Sequence, residues 1–271
     1  MATLTEALES ISDTSIRHIV SISGGKDSAA LAIYLRKNYP DIPAEYVFCD
    51  TMSELPETNE FIERLEALLG VEVKRLTAMD GLGVSEKAGK RTPFDIFLNE
   101  LYGGFLPSPR SRWCTRALKI EPFERYLEGT RSFSYIGIRA DENRDGYQSP
   151  KKPVLSQKPN IIPVYPFKDD GIRISDVKKI LEESGLGLPD YYRWRSRSGC
   201  YFCFYQQIGE WQRLQEEHPE LFRKAMEYEK TVNGKQFTWV EGRTLEEISK
   251  LEKRYPVQNV DETSGCAICH L

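Results

Sequence analysis

The stretch Arg17-His18-Ile19-Val20-Ser21-Ile22-Ser23-Gly24-Gly25-Lys26-Asp27-Ser28 decides how the rest of the chain is read. Residues 17–22 form a short β-type run that ends in two glycines. A helical pattern follows over 28–38, with apolar Leu31, Ile33, Tyr34 and Leu35. Successive N–H groups in such a turn form an anion nest, to which the helix N-terminus adds its positive end. Gly24 and Gly25 let the backbone take positive φ and approach a ligand closely. Lys26 supplies a point charge, and Ser23 and Ser28 supply hydroxyl donors. Asp27 would repel a phosphate unless a cation sat between them, which implies Mg²⁺. The plain alternative is a tight turn with a capping serine. The stretch is not a Walker A motif, because Val20 and Asp27 break the Gly-x-x-x-x-Gly-Lys-Ser/Thr pattern.

The flanking sequence repeats the strand–helix alternation. Residues 44–49 read as a second strand and 57–69 as a helix with Phe61, Ile62, Leu65 and Leu68 near helical period. Gly70 fits a C-cap, and 71–76 read as a third strand. This order predicts an α/β fold: a parallel sheet flanked by helices, Rossmann-like, with right-handed crossovers. Residues 77–113 are irregular, 115–127 helical, 133–138 a strand and 160–165 one more. The polar stretch 139–159 reads as a loop over the sheet edge. A helix is expected over 174–184. From Gly185 onward strands disappear, and helices are expected near 208–215, 220–230 and 245–251. The expected division is an α/β nucleotide domain over 1–168 and a mainly helical, cysteine-containing region over 169–271.

Composition sets the outer bounds. The 271 residues are 40% hydrophobic and 29% charged. No stretch approaches the ~20 consecutive apolar residues that cross a bilayer. Residues 1–15 carry Glu6, Glu9 and Asp13 and lack the pattern of a secretion signal. A cytoplasmic protein without membrane contact is therefore expected. The net charge of −4 argues against a chain-wide nucleic-acid footprint. Two local basic groups remain. Arg110, Arg112, Arg116 and Lys119 surround Cys114. Arg193, Arg195 and Arg197 precede Cys200, interleaved with Tyr191, Tyr192 and Trp194. Arginine clusters bind phosphates and neighbouring aromatics stack bases, so a nucleic-acid substrate is one expectation. A solvated or salt-bridged surface is the other. His18, His218 and His270 make no pattern; His18 reads as structural, and His270 neighbours Cys269.

Six cysteines stand at 49, 114, 200, 203, 266 and 269. Cytosolic thiols stay reduced, so two Cys-x-x-Cys pairs point to metal or redox chemistry. Ser198-Gly199-Cys200-x-x-Cys203 is echoed by Ser264-Gly265-Cys266-x-x-Cys269. Zinc on Cys200, Cys203, Cys266 and Cys269 is one reading, although the interval between the pairs is long for a ribbon. A redox dithiol at Cys266/Cys269 is another. Cys49 lies on an apolar strand and reads as core.

Several motifs together resemble the phosphoadenosine phosphosulfate (PAPS) reductase family, within the PP-loop adenine nucleotide alpha hydrolases. They are the loop 23–28, then Phe48-Cys49-Asp50-Thr51 with Glu54-Leu55-Pro56-Glu57-Thr58, and Cys114-Thr115-x-x-Leu118-Lys119-Ile120-x-Pro122. Gly137-Ile138-Arg139-Ala140-Asp141-Glu142 with Arg144, Tyr192 and Gly199-Cys200-x-x-Cys203 complete the series, which covers roughly 15 to 205. Asn143 takes the place of the family's serine. The resemblance implies nucleotide contacts from Asp50, Thr51, Gly137, Arg139 and Arg144. It also implies a [4Fe–4S] cluster on Cys114, Cys200 and Cys203, with Cys269 or Cys266 as a fourth ligand or one iron left open. Two departures narrow it. The loop keeps the complete Ser-Gly-Gly-Lys-Asp-Ser, which a reductase of an activated nucleotide does not need. The tail Gly265-Cys266-Ala267-Ile268-Cys269-His270-Leu271 matches the reductases' Glu-Cys-Gly-Leu-His poorly. Both favour an ATP-consuming relative, similar in kind to the ATP pyrophosphatase of Dnd- and Ssp-type DNA phosphorothioation. That likeness implies a cysteine desulfurase and other sulfur-modification proteins as partners, with Lys26, Asp27 and Ser28 as the catalytic group. A thiolating enzyme acting on tRNA or a small molecule, a reductase of PAPS or adenosine phosphosulfate, and a nucleotide-binding subunit without turnover remain the alternatives.

Overall fold

In the computed structural model the described residues are 2–82, 89, 91–142, 156, 158–232 and 235–254. Helix α1 (Leu4–Leu8) is followed by β1 (Arg17–Ile22), α2 (Lys26–Asn38), β2 (Ala44–Asp50), α3 (Pro56–Leu69) and β3 (Val73–Thr77). Gly70 closes α3 in the left-handed conformation at φ 65, as its lack of Cβ permits. Short helices α4 (Met79–Leu82), α5 (Pro93–Ile96), α6 (Trp113–Thr115) and α7 (Glu121–Tyr126) precede β4 (Ser132–Tyr135). Then come β5 (Ile161–Val164), α8 (Pro166–Asp169), α9 (Ile174–Glu183), α10 (Ile208–Glu217), α11 (Pro219–Glu227), the hairpin β6 (Thr231–Val232) and β7 (Lys235–Gln236), and α12 (Leu245–Ser249).

The five main strands form one sheet in the order β3-β2-β1-β4-β5. Every pairing in it is parallel. The chain is thus the expected α/β fold with a Rossmann-like sheet. Central β1 is buried along both faces, from His18 to Ile22, as a parallel strand covered by helices must be. Val20, Ile22, Tyr46 and Phe48 face a core with Leu31 and Leu35 of α2, Phe61 and Leu65 of α3, and Val177 and Leu181 of α9. Ile19, Val47 and Cys49 face the other way, against Ile120, Phe123 and Leu127. Pro163 pairs opposite Ser134 on edge strand β5, where a missing N–H costs little.

A second, aromatic core joins the 94–118 segment to the C-terminal helices. Phe94 stacks on Trp113 at 5.2 Å and lies tilted against Phe202 at 4.1 Å, and Phe202 stacks on Trp239 at 5.3 Å. Two expectations change. The region after Gly185 is not strand-free, because β6 and β7 pair antiparallel. The expected helix over 115–127 begins at Trp113 and is interrupted by a π turn at Arg116–Ile120, where the Glu121 N–H bonds to the Arg116 carbonyl. Pro122 has no N–H to continue an α-helical ladder, and the wider turn just ahead of it accommodates that loss.

Candidate functional site

All five parallel strands end on the same side, and β1 lies where the order reverses: its successor β2 flanks it on one side and β4 on the other. Ligands of open α/β sheets bind in the crevice at such a point. The loop 23–28 occupies it. Gly24 has φ +71, and a Cβ there would stand 2.4 Å from Thr58 Cγ2. Both facts demand glycine. Gly24→Ala is expected to destabilise the protein by about 1–3 kcal/mol, read from the midpoint of denaturant unfolding. Ser28 ties the turn together: its Oγ accepts from the Ser23 N–H at 3.1 Å and donates to the Gly25 carbonyl at 3.1 Å. Gly25 is the N-cap of α2 and offers no capping side chain, so the cap residue itself occupies none of the first turn's amides, and the Lys26 N–H faces the Tyr192 hydroxyl.

Lys26 is 5% exposed. Its Nζ lies 3.3 Å from Asp27 Oδ2 and 5.3 Å from the centre of the Tyr192 ring. Burial opposes its charge, but Tyr192 and Asp27 outweigh that and hold the ammonium above its ordinary pKa. Asp27 Oδ1 accepts from Arg139 Nη1 at 2.7 Å. Arg139 is 2% exposed and also reaches Asp141 at 3.0 Å and Glu142 at 3.1 Å. The sequence suggested Mg²⁺ for Asp27 and phosphate for Arg139; in the structure both Asp27 oxygens face cationic side chains, and the guanidinium sits among three carboxylates. Gly137 lets the chain leaving β4 come this close, since a Cβ there would stand 2.8 Å from the Asp27 carbonyl oxygen. Asp50 closes β2 by accepting from the Met52 N–H at 2.7 Å. Met52 takes a positive φ, at 56.

Thr51 faces the cysteines. Its hydroxyl donates to Glu54 Oε1 at 2.8 Å and lies 3.1 Å from Cys200 Sγ. Cys114, Cys200 and Cys203 line one pocket with Thr51, Thr115 and Lys119, partly open to solvent. The π turn matters here, because it presents Leu118 and Lys119 to the same pocket as Cys114. Burial, with Cys203 adding to it, pushes the Cys114 thiol up to about 12, and burial raises Cys200 as well. Among the described residues no three Cys, His, Asp or Glu side chains converge as tightly as a single ion needs. A cluster instead spreads its thiolates over several irons, and the three cysteines lining one pocket are three of the four thiolates it would need. Arg144, Cys266, Cys269 and His270 lie outside the described residues.

The basic groups are sorted by their partners. Arg195 is 1% exposed and donates to the Gly199 and Cys200 carbonyls at 3.1 and 2.8 Å. It shapes the cysteine turn and is not a surface cation. Arg116 pairs with Glu121 and Glu124. His18 is buried against Tyr135, with 2.8 Å between Nδ1 and the phenol, as its structural reading expected. Nothing in local sequence marks Tyr191 as a partner of the loop, yet its phenol donates to the Gly24 carbonyl at 2.7 Å across 167 positions. Glu54, which opens the Glu54–Thr58 motif, neighbours Thr51 and Cys200, and burial raises its pKa.

Residues 17–212 match the model of the phosphoadenosine phosphosulfate reductase domain. The chain belongs to that family. Two uncharacterized proteins of Methanocaldococcus jannaschii are similar to this PAPS reductase family member. One is 27% identical over 215 residues, 76% of this chain and 40% of the relative. The other is 27% identical over 208 residues, 75% of this chain and 45% of the relative. The chain thus spans less than half the length of these two relatives. An uncharacterized 37.8 kDa protein of Escherichia phage 186 is 26% identical over 268 residues, 79% of this chain and 75% of that protein. Among solved structures, the PAPS reductase of Candida auris in its phosphate complex gives a TM-score of 0.45 at 13% identity, covering 71% of this chain and 84% of that one. The U34-tRNA thiolase NcsA of Methanococcus maripaludis with its [4Fe-4S] cluster gives 0.42 at 18%, covering 92% and 89%. No helix among the described residues is long and apolar enough to cross a membrane.

Proposed function

We propose that this family member is a PP-loop ATP pyrophosphatase that transfers the AMP of ATP to an acceptor, releasing pyrophosphate, so that sulfur can then displace the AMP. The observation that carries the reading is the intact loop with a buried, charged Lys26 at the sheet's switch point. A sulfonucleotide reductase, whose substrate arrives already activated, has no need of that ammonium for a triphosphate. The Gly24–Gly25 turn and the α2 N-terminus bind the phosphates, and Ser28 keeps the turn closed. Lys26 neutralises charge developing on the leaving pyrophosphate. Asp27 holds Lys26 in place and, by giving up part of its pairing with Lys26 and Arg139, would take Mg²⁺ when the metal nucleotide enters. Asp50 and Thr51 would contact adenosine and Arg144 the phosphates, while Arg139 holds Asp27 from the chain leaving β4, which Gly137 lets come close.

Cys114, Cys200 and Cys203 would hold the [4Fe–4S] cluster, with Cys269 as the fourth ligand. Bound there, the cluster would supply an iron site for sulfur beside the nucleotide. Convergence of Cys114 with the Cys200/Cys203 pair favours this over zinc, whose ligand set does not use Cys114. Anaerobically purified protein is expected to contain iron and acid-labile sulfide. Cys114→Ser, Cys200→Ser and Cys203→Ser should each lose most of both; full iron in Cys114→Ser would remove that residue from the centre.

The acceptor we put forward is DNA, in phosphorothioate modification in the cytoplasm, with a cysteine desulfurase supplying sulfur. The deciding assay is pyrophosphate release from Mg-ATP with and without DNA, tRNA and a desulfurase. Sulfite from PAPS or adenosine phosphosulfate, with no pyrophosphate from ATP, would overturn the reading in favour of a reductase.

A further inference from the structure

We propose that Tyr191 is a positioning residue of the phosphate loop: its phenol fixes the Gly24–Gly25 peptide plane and so aims the Gly25 N–H at the bound phosphate. This rests on the reading of the loop as a phosphate site. Tyr191 is fully buried on the 3₁₀ turn Asp190–Arg193, and its hydroxyl donates to the Gly24 carbonyl at 2.7 Å. In a trans peptide the C=O and the following N–H point in opposite directions. Holding the Gly24 carbonyl on Tyr191 therefore turns the Gly25 N–H away from Tyr191. Two adjacent glycines have little steric preference of their own, so the plane needs an external anchor. Ser28 anchors the next plane through the Gly25 carbonyl, and Tyr191 anchors this one.

The same segment continues into the cysteine turn. A Cβ on Gly25 would stand 2.9 Å from Ser198 Oγ. The Tyr201 N–H donates to the Ser53 carbonyl at 2.9 Å, and Cys200 Sγ lies 3.1 Å from the Thr51 hydroxyl. Tyr191 thereby ties the loop to the segment that carries Cys200 and Cys203. Order imposed on the loop by a phosphate is passed to that segment.

The test is Tyr191→Phe in the full chain, which keeps the ring and its packing and removes the hydroxyl. Calorimetry should show Mg-ATP and inorganic pyrophosphate each binding about tenfold more weakly than to wild type, while adenosine changes by less than about twofold. Unchanged affinity for pyrophosphate, or an equal loss for adenosine, would overturn the assignment. Wild type that binds neither Mg-ATP nor pyrophosphate would instead remove the phosphate-site reading itself. Hydrogen exchange gives a measurement that needs no variant. Mg-ATP should slow exchange at the Tyr201 amide of wild type by about fivefold or more, and an unchanged rate there sinks the proposed tie.

Discussion

Lys26→Ala is expected to lower pyrophosphate release from Mg-ATP by about 100- to 1,000-fold, the range found when one preorganised charge-stabilising donor is deleted. The magnitude follows from burial. An ammonium on a solvated surface would be screened to little effect, but Lys26 is 5% exposed and pinned between Asp27 at 3.3 Å and the Tyr192 ring at 5.3 Å. It costs no reorganisation when charge moves onto the leaving phosphate. The loss should appear mainly in kcat, since ground-state binding keeps the loop amides and Mg²⁺. Lys26→Arg should not restore the rate, because a planar fork does not replace a compact point charge in a closed site. A steady-state assay of pyrophosphate, with thermal melting of each variant as control, checks this. An alanine variant that melts normally and retains the wild-type rate would leave the loop without a catalytic role.

Much of this site was written in local sequence, and the parts that were not have a common cause. The loop 23–28, the strands around it and Gly70 as a C-cap depend on neighbours in the chain, so periodicity and glycine placement exposed them. That the sheet is parallel followed from the alternation of strands and helices, whereas its order β3-β2-β1-β4-β5 came only with the structure. What sequence could not supply was partner choice over long separations. Arg139 and Arg195 both read as phosphate-binding cations. One sits among Asp27, Asp141 and Glu142, the other caps two carbonyls behind Cys200. A guanidinium has the same letters around it whether it meets water, phosphate or carboxylate. Tyr191 is the same case for a neutral donor. The π turn was hidden for a different reason: Pro122 signals a defect in the helical ladder but not how the chain absorbs it. The convergence of Cys114 with Cys200 and Cys203 was implied by family resemblance alone, and the fold brings it about by packing the 94–118 segment on the C-terminal aromatics.

Arg139→Ala is expected to be the most destabilising single change near the site, by about 3 kcal/mol, the lower end of the cost of stranding buried charges. Three carboxylates share this guanidinium, but they do not weigh equally. The Asp27 and Asp141 side chains are 18% and 28% exposed and keep some solvation, whereas the Glu142 side chain is 1% exposed. Most of the loss therefore arises at Glu142. Burial opposes the charge on Arg139, but Asp27 and Glu142 outweigh it and raise its pKa, so the network is held together by attraction. For a chain of this size, about 3 kcal/mol corresponds to a melting temperature lower by about 6–12 °C. Arg139→Lys should recover only part of this, because one ammonium cannot reach three carboxylates in a fixed fork. Adding Glu142→Gln to Arg139→Ala should recover part of the stability, since it removes the most buried of the three carboxylates that lose this guanidinium while keeping its shape. Pyrophosphate release should not return with it, because Asp27 remains without its 2.7 Å partner. That split separates the two duties of the residue: Glu142 makes Arg139 matter to folding, and Asp27 makes it matter to the loop. A melting temperature for Arg139→Ala within about two degrees of wild type would mean that something other than Arg139 neutralises the three carboxylates.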